Sequence, residues 1–235
     1  MDNSYDQIIP KVGLGTYNMD SKESEFMTYE AIKYGYRHID TAAVYKNEDG
    51  VSRALERIFN ETQLKREDIF ITTKLWPGGL IKLDRVRDYK DTLKSFEKSL
   101  MRLNLEYIDL YLIHSPHGKS KRIEQWKSLM NLKESGKVKY IGVSNWGINH
   151  INELKENNLP LPDANQIEIH PWSQKPELVK YLRENNIDII AYSSLVPLSS
   201  WRHKDGENSK KTEQMYKLGE SENSPFKLFA QKYNC

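Results

Sequence analysis

An acid, a phenol, an amine and an imidazole are the groups in this chain whose placement suggests chemistry: Asp40, Tyr45, Lys74 and His114. Asp40 ends the short run His38-Ile39-Asp40, and Tyr45 follows it within the polar loop of HIDTAAVYKNE. Lys74 ends the β-branched run Ile69-Phe70-Ile71-Thr72-Thr73-Lys74, and His114 ends the apolar run Ile108-Asp109-Leu110-Tyr111-Leu112-Ile113-His114. If these runs are neighbouring parallel strands, all four side chains meet at one end of a sheet. Such a set is equipped for proton transfer. A phenol titrates near ~10 and is a poor acid at neutral pH, but an ammonium beside it stabilises the phenolate. Tyr45 beside Lys74 would have that neighbour, with Asp40 pairing to Lys74 and holding it. Taken singly, each residue has a plainer reading: Tyr45 as a surface phenol, Lys74 with Asp40 as a structural ion pair, His114 as a satisfied core histidine. Only the four together, at successive strand ends, point to a site.

The elements that must position them alternate regularly. Val12 to Tyr17, with Gly13 and Gly15, reads as a first strand entering a loop. Ser21 reads as the cap of a helix that carries Glu23 and Glu25 in its first turn and stops at Gly35. Helical spacing recurs over Val51–Phe59, Asp91–Leu103, Ile123–Ser135, Ile148–Asn157 and Pro176–Asn185. Each of these helices is followed by a strand: Ile69–Lys74, Ile108–His114, Lys139–Ser144, Ala164–Ile169 and Ile187–Ser193. Strands separated by helices of this length pair in parallel through right-handed crossovers, and seven such units favour a TIM-type (β/α) barrel over an open sheet. In a parallel barrel the functional groups gather at the carboxyl ends of the strands. Asp40, Lys74, His114, Ser144, Asn145, Gln166 and Tyr192 all stand at or beside such ends.

The motifs HIDTAAVYKNE, ITTKLW, LYLIHSP, GVSNW, NQIEIHP and AYSSL, in this order between about Val12 and Leu195, closely resemble the aldo-keto reductases. The resemblance implies one barrel domain over residues 1–235 that reduces aldehydes or ketones to alcohols with hydride from NADPH, NADH being the other option. It implies that Tyr45 is the general acid, tuned by Lys74 and Asp40, and that His114 orients the carbonyl. It implies that Ser144, Asn145 and Gln166 hold the nicotinamide amide, that Tyr192 stacks on the ring, and that Thr16, Asp40, Ser193 and Leu195 complete the cofactor-binding set. Tyr17, Trp76, His114 and Ser115 would contact the substrate, with Trp172 a further pocket aromatic; Trp146 and Trp201 read as packing residues. By themselves, Ser144-Asn145 reads equally as a strand-to-helix cap and Tyr192 as core. Gly13-Leu14-Gly15 opens no helix directly, so a Rossmann site is not expected. No metal site is expected either.

Two positions depart from the family pattern within the matched stretch. Ser115 stands where many relatives carry tryptophan, and Ser194 where they commonly carry proline. After Leu195 the alternation fails: Val196 to Asn223 is polar and irregular, and a short amphipathic helix runs from Phe226 to Tyr233. The expected fold is therefore a barrel with seven recognisable strands, its eighth strand and closing helix missing. The basic-serine loop with which relatives grip the cofactor's phosphates is missing as well. Two functions stand open: the reductase, and a catalytically weakened or inactive barrel remnant that binds a partner or senses a nucleotide.

Composition narrows the partners. With 35 basic and 33 acidic residues, net +2, and no long run of like charge, neither a nucleic-acid nor a membrane surface is indicated. A small carbonyl compound is the expected partner, and self-association through unpaired barrel edges is left open. The one cysteine, Cys235, permits no intrachain disulfide and points to a reducing compartment. The amino terminus lacks a signal-peptide pattern and no apolar stretch reaches the ~20 residues that span a bilayer, so a cytoplasmic location is expected. Mean hydropathy of −0.74 is low for strands that must be buried on both faces.

Overall fold

The structure is a computed structural model and describes residues 9–81, 83–195, 213 and 217–234. Strands β1 (Leu14–Gly15), β2 (His38–Asp40), β3 (Phe70–Leu75), β4 (Ile108–Ile113), β5 (Val138–Ser144), β6 (Ala164–Glu168) and β7 (Asp188–Tyr192) alternate with six helices. These are α1 (Ser21–Lys33), α2 (Glu48–Glu61), α3 (Tyr89–Leu103), α4 (Arg122–Glu134), α5 (Ile148–Glu156) and α6 (Pro176–Glu184). A further helix, α7 (Pro225–Tyr233), packs Phe226 against Trp172 with ring centroids 4.9 Å apart. Each strand pairs in parallel with its neighbour in sequence, in the order β1 to β7. The seven strands form a nearly closed barrel with one seam, as the alternation predicts; among the described residues no ladder joins β7 to β1. Most of the Val196–Asn223 segment, Trp201 included, lies outside the described residues.

Register decides which residues face inward. His38, Asp40 and their partners Phe70 and Thr72 share one side, and Lys74 lies level with Leu112. Because side chains alternate along a strand, the even-numbered residues of β2 to β7 line the lumen and the odd-numbered ones face the helices. Two cores result. Ile9, Phe70, Leu110, Leu112 and Ala164 fill the lumen with Tyr140 and Ile190. Ile39, Ile71, Leu75, Tyr111, Ile113, Val143 and Ile167 pack outward against the helix layer. β3 and β4 are buried along their whole length, whereas β7 is only partly covered. At Gly142 the lumen admits no side chain: a Cβ there would stand 2.4 Å from Ala164 O and 2.7 Å from Leu112 Cδ2.

Helix starts depart from the expected positions by a few residues. Asp20, not Ser21, caps α1: its carboxylate accepts from the N–H groups of Lys22 and Glu23 at 2.8 and 2.9 Å, and Glu23 accepts from Asp20 N at 3.0 Å. This capping box satisfies donors that Ser21 would otherwise have had to satisfy. α2 begins at Glu48 rather than Val51. Glu48 and Gly50 of its first turn are buried, Glu48 through a polar contact with Thr73, which apolar periodicity does not register.

Candidate active site

Strand alternation carries Asp40, Lys74, His114, Ser144, Gln166 and Tyr192 to the same end and the same face of the barrel. Tyr45 reaches that end from a 3-10 turn, Ala43–Tyr45, which Lys46 terminates in the left-handed region at φ 58°. Lys74 is fully buried. Its ammonium donates to the Asp40 carboxylate and, at 2.9 Å, to the Thr41 carbonyl. The second oxygen of Asp40 accepts from Gln166 Nε2 at 2.7 Å. The acid is thus held by β3 on one side and by β6 across the lumen.

Tyr45 Oη lies 3.4 Å from His114 Nε2, and the two rings meet edge to face with centroids 5.5 Å apart. Lys74 approaches Tyr45 over the ring face, 5.2 Å from its centroid, and spends its hydrogen bonds on Asp40 and Thr41. Burial first, then the charge of Asp40 and the phenols of Tyr17 and Tyr192, push the Tyr45 phenol above its ordinary range. The lowering expected from a neighbouring ammonium is not seen: Lys74 is paired with the Asp40 carboxylate, and the phenol is raised. Burial and then Lys74 push the His114 imidazole down to about 3, with Asp40 opposing. At neutral pH the pair is a protonated phenol facing an uncharged imidazole.

Aromatic residues extend this centre outward. Tyr17 lies against Tyr45 at 5.1 Å between centroids and Trp76 against His114 at 5.8 Å. Trp76 is pinned by its indole N–H, which donates to Asp84 Oδ2 at 2.8 Å. Ser115, next to His114 in the chain, is buried with its Oγ 2.7 Å from His117 Nδ1. Trp172, expected as a pocket aromatic, packs on Phe226 of α7.

A second polar group joins the ends of β4, β5, β6 and β7. Ser144 Oγ donates to Gln166 O at 2.9 Å, and Asn145 Nδ2 donates to His114 O at 3.1 Å. Tyr192 Oη donates to Asn145 Oδ1 at 2.8 Å. Asn145 has φ 63°, a left-handed conformation that asparagine tolerates better than most side chains. The backbone N–H of Thr16, a buried residue, donates to Asp40 O at 2.9 Å, which places Thr16 under the centre. Ser193 also takes a left-handed φ of 53°, and Leu195 is 71% exposed.

Two residues that sequence reasoning passed over complete the arrangement. Asn47, fully buried, donates from Nδ2 to Thr16 O and Met19 O at 2.8 and 2.9 Å and accepts at Oδ1 from Thr41 Oγ1 at 2.8 Å. Glu48, 1% exposed, accepts from Thr73 Oγ1 at 2.7 Å and from Arg102 Nη1 at 3.3 Å. The available signal was a pair of polar residues set directly before an apolar helix face.

The strand-end group suits the amide of a nicotinamide. A hydroxyl and two carboxamides, from Ser144, Asn145 and Gln166, offer donors and acceptors beside His114, with the half-buried ring of Tyr192 next to them. Among the described residues no cluster of His, Cys, Asp and Glu side chains could hold a metal ion, and no helix is long and apolar enough to cross a membrane.

The pattern of the aldo/keto reductase family matches residues 11–234. The chain belongs to the aldo/keto reductase family. It is 41% identical over 189 residues to the glyoxal reductase of Bacillus subtilis, a match that takes in 80% of this chain and 64% of that enzyme. It is 38% identical over 190 residues to the methylglyoxal reductase DkgA of Yersinia pestis, again over 80% of this chain and 64% of the relative. The chain thus spans less than two thirds of the length of these curated relatives. Among solved structures, the aldo-keto reductase of Bombyx mori in complex with NADP is 31% identical with a TM-score of 0.78, covering 96% of this chain and 73% of that one.

Proposed function

We propose that this chain reduces aldehydes and ketones to alcohols with NADPH, small α-oxoaldehydes such as methylglyoxal being the first substrates to try. The observation that carries this reading is the convergence of Asp40, Lys74, Tyr45 and His114, with the phenol 3.4 Å from the imidazole. The glyoxal and methylglyoxal reductases among the relatives support the substrate class, and the NADP-bound structural neighbour supports the cofactor. The dinucleotide, when bound, supplies the hydride for the carbonyl carbon. Ser144, Asn145 and Gln166 would hold its amide, Tyr192 its ring face, and Thr16, Asp40, Ser193 and Leu195 would line its path.

The chain's own residues manage the proton. The substrate oxygen enters between Tyr45 Oη and His114 Nε2, where the uncharged imidazole donates a hydrogen bond and the phenol carries a proton to give. As charge passes to the phenol, the ammonium of Lys74 over the ring face stabilises it, and in a buried site that attraction is several times stronger than in water. Tyr17, Trp76 and Ser115 form the walls that the rest of the substrate meets. One domain over residues 1–235 and a cytoplasmic setting accompany this reading, and a single cysteine in the chain suits a reducing compartment.

The test is NADPH consumption with methylglyoxal by the wild-type chain and by Tyr45→Phe. Loss of the proton donor should lower kcat by about 100-fold or more while NADPH affinity is kept. A folded wild-type chain that binds NADPH and turns over no aldehyde would overturn the assignment.

A further inference from the structure

We propose that Asn47 and Glu48 are positioning residues, a buried two-point clamp that fixes the Tyr45 turn so that its phenol meets Lys74 and His114. The inference deepens the reductase reading and rests on it. Tyr45 belongs to no strand or long helix. Among the described residues its turn is closed by two local backbone bonds, Tyr45 N to Ala42 O at 3.0 Å and Lys46 N to Ala43 O at 3.4 Å, and then the chain reverses through the left-handed Lys46. A single turn of this kind does not hold a phenol in place by itself. The anchors come two and three residues later.

Asn47 uses the full capacity of its carboxamide. Two donors go to Thr16 O and Met19 O, and the oxygen accepts from Thr41 Oγ1 at 2.8 Å and from Thr16 Oγ1 at 3.4 Å. It therefore welds the loop after β1 to the loop after β2, on either side of Asp40. Glu48 sets the other coordinate. Its partner Thr73 is the residue before Lys74 and points to the opposite face of β3, so the start of α2 is registered to the strand that presents the ammonium. Arg102 reaches over from α3 and supplies a counter-charge. Because Glu48 sits outside the lumen, it acts through Tyr45 and not on the reacting atoms.

The decisive variants are Thr73→Val, which keeps the side-chain shape and removes the hydroxyl that Glu48 accepts from, and Thr73→Ser, which restores it. Asn47→Asp keeps size and replaces both donors with an acceptor. Aldehyde reduction, NADPH binding by fluorescence titration and thermal unfolding are measured on each. Misplacing the phenol by about 1 Å should cut kcat of Thr73→Val and Asn47→Asp by about 10- to 100-fold, with KM and NADPH affinity within about threefold, and Thr73→Ser should recover most of the rate. Wild-type kcat in folded Thr73→Val overturns the clamp even if its melting temperature falls, and this variant decides the matter should Asn47→Asp not fold. Tyr45→Phe separates the two levels. If it abolishes turnover while Thr73→Val is unaffected, the clamp alone fails; if it leaves turnover intact, the reductase mechanism fails as well.

Discussion

Keeping an imidazole uncharged beside an ammonium makes His114 the acid-sensitive point of this site. Its folded-state pKa, about 3, lies below the ordinary value of a histidine in an unfolded chain, about 6.5. Between those values the unfolded chain binds the extra proton, so stability is unaffected by this group above about pH 6.5 and falls with each unit below it by about 1.4 kcal/mol. His38, buried and likewise lowered, adds in the same direction, so the effect of His114 is isolated by difference. Thermal unfolding of wild type and His114→Asn between pH 4.5 and 7.5 should show the wild type losing ground as the pH drops, and parallel curves would refute the assignment. Asp40, Lys74 and His114 were legible in the sequence because each ends a recognisable run, and Tyr45 because it follows the first of these in a polar loop. Asn47 and Glu48 were not, because a buried polar side chain looks like any loop residue until its partners are known. The protonation pattern was also illegible: burial first and then the Asp40 charge push the Tyr45 phenol up, and burial depends on the assembled barrel.

Helix against helix, the contact that matters most to the site is the crossing of α1 and α2, since α2 carries the clamp at its start. The crossing is close because Gly50 faces α1: a Cβ there would stand 2.0 Å from Ser21 O and 2.2 Å from Ser24 Oγ. Ser24 Oγ itself donates to Asn47 O at 3.1 Å, tying the crossing to the residue that braces Tyr45. Gly50→Ala should therefore cost about 1–3 kcal/mol of stability by overpacking and lower kcat at temperatures where the variant is folded, because the helices must separate. A chemical-denaturation midpoint unchanged from wild type would show that α1 yields without cost. Element identities were readable from periodicity throughout β2 to β7 and α1 to α6. Boundaries were less so at α1, where the Asp20 capping box sets the first turn, and at α2, where the buried Glu48 bonds Thr73 of β3.

At the level of the whole barrel, coverage declines around the ring. β3 and β4 are buried at every residue, while β7 has none that is fully buried. Local opening follows coverage, so amide hydrogen exchange should be fastest in Ile189–Tyr192 and slowest in Ile71–Leu75 among the strands. Equal protection in the two would mean that the seam is sealed as firmly as the far wall. The barrel was legible in the strand-helix alternation; the coverage gradient was not, since β7 reads as apolar as its neighbours and its exposure depends on what lies beside it. The order of the sheet is also the order of the chain. Asp40 and Lys74, 34 residues apart, are therefore both made before the later strands. Gln166, which holds the other oxygen of that acid, emerges 92 positions after Lys74, a wait of roughly 5 to 18 s at ordinary synthesis rates. Through that interval the nascent protein holds both members of the ion pair while the amide that completes the acid's partners has not yet been translated.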